Sequence, residues 1–103
     1  MCEPRAIRTV DVTNPAGIHA RAATLIAELV RRFDSKVLVI KDCERVDGTD
    51  VLQILSLGTR HGEQVSFEAV GCDAEEALNA LVQLFADNFG ESEQPIEEAE
   101  NPQ

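Results

Sequence analysis

Basic residues are scarce in this chain: nine Lys and Arg stand against nineteen Asp and Glu, for a net charge of −10. Nucleic acid needs a basic face to meet its phosphates, so nucleic-acid binding is excluded as a function class. No apolar run approaches the length of a membrane span, which argues against membrane insertion. The opening residues, Met1-Cys2-Glu3-Pro4-Arg5, lack an apolar signal region, so a cytoplasmic protein is expected rather than a secreted one. Cysteine is limited to Cys2, Cys43 and Cys72, odd in number and widely spaced. These form neither a C-x-x-C pair nor a metal-ligand spacing, and they read as reduced thiols. Tryptophan and tyrosine are absent, yet the hydrophobic share of 44% is ordinary for a folded protein. No internal repeat or domain linker is visible.

The length of 103 residues accommodates one core and is too short for two ordinary domains. Residues 91–103 hold five glutamates, two prolines and no basic residue, and so carry half of the net charge. Such a segment cannot bury enough apolar surface to offset the entropy of ordering. The expected organisation is one domain over residues 1–90 and an acidic disordered tail over 91–103.

Within the domain the hydrophobic pattern alternates between strand and helix. Residues 7–12 read as a strand, with Val10 and Val12 on one face. From Ala20 to about Phe33, apolar Ala23, Ile26, Leu29, Val30 and Phe33 recur at helical spacing. Residues 37–40 form a short apolar strand, and 43–46 pair back on it through a turn at 42–44. A short helix runs from Asp50 or Val51 to Leu57, where Gly58 stops it. Residues 64–70 alternate strictly, with Val65, Phe67 and Ala69 on one face. Asp73 is expected to cap a last helix that buries Ala74, Ala77, Leu78, Leu81, Phe85 and Phe89. The order is βαββαβα, which fits an α+β layer of one antiparallel sheet with helices on one face.

The most informative stretch is Asn14-Pro15-Ala16-Gly17-Ile18-His19-Ala20-Arg21-Ala22-Ala23. Gly17 permits positive φ and a sharp entry into the helix. His19 then falls at the helix start, where backbone N–H groups lack intrahelical partners and the peptide dipoles leave partial positive charge. That end of a helix favours anions. A neutral imidazole nitrogen is a nucleophile toward phosphorus, and Arg21 offers paired donors to phosphate oxygens. A lone histidine here more often caps or packs, but Gly17, Ala20 and Arg21 together point to a histidine that carries phosphate.

Gly17-Ile18-His19-Ala20-Arg21-x-Ala23 resembles the active-site signature of the HPr phosphocarriers of the bacterial phosphotransferase system. Leu55-Ser56-Leu57-Gly58, Gly62 and Ala69-Val70-Gly71-Cys72-Asp73-Ala74 are similar to HPr as well, in order and at ungapped spacing, so the resemblance spans about residues 5–89. It implies an open-faced β-sandwich with a four-stranded antiparallel sheet and three helices on one face. It also implies that enzyme I, charged by phosphoenolpyruvate, phosphorylates His19, which passes the group to an enzyme IIA domain or a regulatory target. His19 is then the carrier. Arg21, with the N–H groups of Ala20 and Arg21, holds phosphate oxygens. No metal or organic cofactor is implied, and a monomer is expected.

The short helix carries a second indication. Five of the seven residues 51–57 are large and apolar. Ile54 and Leu57 are core candidates, which leaves Val51, Leu52 and Leu55 as a possible exposed docking patch, the positions at which HPr proteins contact partners. The sequence departs from the family pattern twice. Alanine stands at 22 where proline is usual. Asp50 stands where many HPr proteins carry a regulatory serine; it reads as a simple N-cap or as a partial imitation of phosphoserine. His61 lies in the polar stretch Gly58-Thr59-Arg60-His61-Gly62 and reads as a surface-loop histidine. Two rival functions remain: a regulatory binding module of the same fold, and a small hydrolase with His19 as base. The hydrolase lacks a partner residue at suitable spacing.

Overall fold

Strand β1 (Arg5–Asp11) forms one edge of a four-stranded sheet. The computed structural model describes residues 4–90. The remaining elements are α1 (Ala20–Val30), β2 (Lys36–Lys41), β3 (Glu44–Asp47), α2 (Val51–Ser56), β4 (Gln64–Val70) and α3 (Ala74–Ala86), followed by a short 3₁₀ turn over Asn88–Gly90. The spatial order is β1-β4-β2-β3, and all strand pairs are antiparallel. β4 lies in the middle, with Phe67 opposite Arg8 on one side and Val39 on the other. The order βαββαβα is thus the one expected, and the expected acidic tail lies outside the described residues.

The period-2 pattern of β4 decides which face is covered. Val65, Phe67 and Ala69 are buried beneath the helices, together with Val37 and Val39 of β2. α1 contributes Ala22, Ala23, Ile26, Ala27 and Val30, and α3 contributes Ala74, Ala77, Leu78, Leu81 and Phe85. α1 packs against both α2 and α3, so the three helices form one layer. The opposite face of the sheet is open. Glu68 lies there only 5% exposed, because Arg5 from β1 and Arg45 from β3 both pair with its carboxylate. Burial pushes this carboxyl up, but the bonds from Arg45 and Arg5 more than offset that, and it titrates below the usual range.

Two helix readings need correction. α1 ends at Val30, not at Phe33. Beyond it the chain tightens into i→i+3 bonds, Arg32 N–H to Leu29 O and Phe33 N–H to Val30 O. The next two amides, of Asp34 and Ser35, donate instead to the carboxylate of Asp73. That bonding explains the second correction. Asp73 stands at the N-cap position of α3, but its side chain makes no capping bond. It accepts from Ser35 Oγ and from the Asp34 and Ser35 N–H groups, tying the α1–β2 connection to the start of α3. These donors hold the Asp73 carboxyl below its ordinary range, the Ser35 hydroxyl foremost and then the Asp34 amide.

Candidate functional site

The segment Asn14–Gly17 is a tight turn closed by the Gly17 N–H to Asn14 O bond at 3.0 Å. Gly17 has φ 68°. A Cβ on it would stand 2.7 Å from Thr59 O and 3.0 Å from Arg60 Cα, so both conformation and space require glycine. The peptide unit that follows is held at both ends. Asn14 Nδ2 donates to Gly17 O at 2.6 Å, and Ile18 N–H donates to Thr59 O at 3.1 Å. Ile18 and Asn14 are both buried, which anchors the turn in the core.

His19 follows as the N-cap of α1, with extended φ −93° and ψ −174°. Its carbonyl accepts the first helical bond, from Ala23 N–H at 2.8 Å. Its ring Nδ1 accepts from Arg21 N–H at 3.2 Å. The lone pair of Nδ1 therefore faces the first-turn amides, and the ring is half exposed. Ala20 and Arg21 are exposed, whereas Ala22 and Ala23 are buried. Alanine at 22 keeps the helix intact without proline.

Arg21 reaches across to the end of the domain. Its Nη1 donates to Phe89 O at 3.0 Å. The turn that presents this carbonyl has positive φ at Asn88 (52°) and Phe89 (57°). Thr13 Oγ1 fastens it by donating to Asn88 Oδ1 at 3.0 Å. Phe89 is buried, as expected, but not on α3: the helix stops at Ala86, and the chain reverses so that the Phe89 ring meets Phe85 with centroids 4.6 Å apart. No regular period announces this reversal. The polar Asp87-Asn88 pair is the only sequence hint, since asparagine tolerates the left-handed region.

A third segment supports the turn from below. Val12 N–H donates to Glu63 O and Gly62 N–H to Val12 O, both at 2.8 Å. Arg60 N–H donates to Glu63 Oε1 at 2.8 Å, and Lys41 Nζ lies 3.3 Å from the same oxygen. The Arg60 amide leads in holding the Glu63 carboxyl below its usual range; burial opposes this and Lys41 adds to it. His61 is exposed in this loop. Among the described residues no group of three or more His, Cys, Asp and Glu could hold a metal ion, and no helix is long and apolar enough to cross a membrane.

α2 divides the expected patch. Ile54 and Leu57 are buried. Leu52 is 77% exposed, whereas Val51 and Leu55 are half-buried and packed against the core. Only Leu52 stands fully clear of the surface, because a six-residue helix lying on the core must turn most of its apolar residues partly inward. Asp50 is the N-cap: its Oδ1 accepts from Gln53 N–H at 3.2 Å.

The arrangement combines a nucleophilic ring nitrogen, first-turn amides and a guanidinium within one helical turn. That set can accept and hold a small anionic group. The family model described as the PTS HPr component phosphorylation site matches residues 7–87. The phosphocarrier protein NPr of Escherichia coli is 39% identical over 85 residues, covering 82% of this chain and 94% of that protein. The phosphocarrier protein HPr of Treponema pallidum is 35% identical over 85 residues, 82% of this chain and 97% of that protein. Among solved structures, HPr from Thermoanaerobacter tengcongensis superposes with a TM-score of 0.81 at 38% identity, covering 84% of this chain and 98% of that one. The chain thus belongs to the HPr family of phosphocarrier proteins of the phosphotransferase system, whose members carry phosphate rather than catalyse a reaction of their own.

Proposed function

We propose that His19 accepts a phosphoryl group from enzyme I, charged by phosphoenolpyruvate, and passes it to a histidine on an enzyme IIA domain or to a regulatory target. The observation that carries this reading is the bond from Arg21 N–H to His19 Nδ1 at 3.2 Å. It aims the lone pair of Nδ1 at the amino end of α1. An in-line transfer then breaks the phosphorus–nitrogen bond on the donor histidine as a new one forms at Nδ1. The phosphoryl oxygens take over the Arg21 N–H and that of Ala20, where the helix dipole favours negative charge. Little covalent work is asked of the protein; it positions a nucleophile and screens charge. Arg21 screens the oxygens without being committed to them, since its guanidinium also donates to Phe89 O. That balance suits a group that has to leave again.

His19 and Arg21 lie in the same turn of α1, so the proposed site needs no residue from a second copy, and a cytoplasmic monomer is the form proposed. The exposed Leu52, flanked by Val51 and Leu55, is the contact offered to partners, with Asp50 at its edge. The test is incubation with enzyme I and labelled phosphoenolpyruvate, followed by mass mapping. The label is expected on His19, as an acid-labile and base-stable adduct, and it is lost in His19→Ala. Label on His61, or none at all, overturns the carrier function.

A further inference from the structure

We infer that Asn14 is a positioning residue for His19, acting through the peptide between Gly17 and Ile18. This rests on the carrier function proposed above. Gly17 lies between Asn14 and His19 in the chain. A glycine with φ 68° is required there, and glycine is also the residue with the fewest barriers to rotation. A flexible residue two positions before the nucleophile is a liability, because misplacing a reacting group by about 1 Å can cost about a hundredfold in rate. The structure answers it with a clamp on both poles of the next peptide: Asn14 Nδ2 on Gly17 O at 2.6 Å, and Thr59 O on Ile18 N–H at 3.1 Å. The same Gly17 carbonyl also accepts His19 N–H at 3.2 Å, so the Asn14 amide fixes the very group that His19's backbone leans on.

The rest of Asn14 makes sense only as a donor. Its side chain is 1% exposed, and its Oδ1 has no hydrogen-bond partner. A buried amide oxygen without a partner costs stability, so packing alone would favour an apolar residue at this position. Thr59 shows the contrast. Its Oγ1 is likewise buried without a partner, but its part in the clamp is played by the backbone carbonyl. The two side chains therefore behave differently on replacement: the Asn14 amide carries the positioning, and the Thr59 hydroxyl does not.

The experiment compares Asn14→Leu and Asn14→Ala with Thr59→Val in the full chain. Leucine keeps the branched shape of asparagine and valine that of threonine. Phosphoryl transfer from enzyme I is measured alongside the NMR resonances of the Arg21 amide and the His19 ring nitrogens in the unphosphorylated protein. Both Asn14 variants should fold and slow transfer about ten- to a hundredfold. Their Arg21 amide proton should move upfield as its bond to His19 Nδ1 loosens. Thr59→Val should keep the wild-type rate and resonances and melt no lower than wild type. Either Asn14 variant, when folded, with wild-type rate and wild-type resonances overturns the inference. So does a Thr59→Val defect equal to that of Asn14→Leu. If one Asn14 variant fails to fold, the other decides. A wild-type protein that takes no phosphate defeats the carrier function instead, and the resonances still judge the clamp.

Discussion

Replacing Gly17 by alanine separates two reasons for a glycine, provided Gly58→Ala is measured beside it. Both glycines are left-handed, with φ 68° and 62°. A Cβ at Gly58 meets nothing within 4 Å, whereas at Gly17 it lands 2.7 Å from Thr59 O. The backbone conformation alone costs an alanine about 1–2 kcal/mol. The stiffer unfolded chain offsets about 0.4–1 kcal/mol of that. Gly58→Ala should therefore lose about 0–1.6 kcal/mol. Gly17→Ala must also push Thr59 O away from Ile18 N–H, forfeiting a hydrogen bond of about 0.5–1.5 kcal/mol and straining the turn. Its total is about 1.5–3 kcal/mol. At about 4–8 °C per kcal/mol for a domain of this size, thermal unfolding followed by circular dichroism should show a drop of about 6–24 °C for Gly17→Ala and a clearly smaller one for Gly58→Ala. Phosphoryl transfer by the folded fraction should fall only in the second. Equal melting temperatures for the two variants would refute the reasoning from contact and leave backbone strain as the whole effect.

Other perturbations address single groups. Arg21→Ala should leave the domain folded and slow transfer in both directions about ten- to a hundredfold, since one charge-assisted contact is worth roughly 1.5–3 kcal/mol; stopped-flow quench with labelled donor and acceptor measures this. Asp73→Asn should lower the melting temperature at neutral pH, because one amide oxygen cannot satisfy the donors from Ser35 and Asp34. As the folded Asp73 carboxyl is depressed below 3.8, its stabilisation is complete above that unfolded value and vanishes as pH falls through the lower folded one, so the gap between wild type and variant should close at acid pH in a melting series. Asp50→Ser keeps an N-cap but removes a charge from the edge of the Leu52 contact; titration against enzyme I should show tighter binding, and unchanged or weaker binding would leave Asp50 as a cap alone.

What was legible in the sequence follows the range of the interactions concerned. β4 was readable to the residue, because its alternation of Val65, Phe67 and Ala69 with polar neighbours is a local signal. The start of α1 was equally plain, since Gly17 and His19 announce a turn and a cap within three residues. The end of α1 was not: Phe33 keeps the apolar spacing after Val30, but Asp73, 39 positions beyond Asp34, takes over the next amides. The same bond removes Asp73 from the capping role that its position suggested. Phe89 shows the other kind of failure. Its burial followed from its character, but its conformation follows from its own contacts with Phe85 and Arg21 and from the bond of Thr13 to neighbouring Asn88, which no local pattern records.

The site repeats this division. Its chemistry is confined to residues 17–21 and could be read as a motif, whereas its geometry is set from elsewhere. Thr59 and Asn14 fix the peptide before His19, and the Phe89 carbonyl holds the Arg21 guanidinium. Each of these contacts is a backbone carbonyl or a short polar side chain meeting a group far along the chain or on the other side of a turn. A carbonyl is present at every residue, so its use leaves no mark in the sequence. A phosphocarrier motif on its own therefore marks the candidate atoms, while their placement depends on a turn, a loop and a chain reversal that converge on it only in the folded domain.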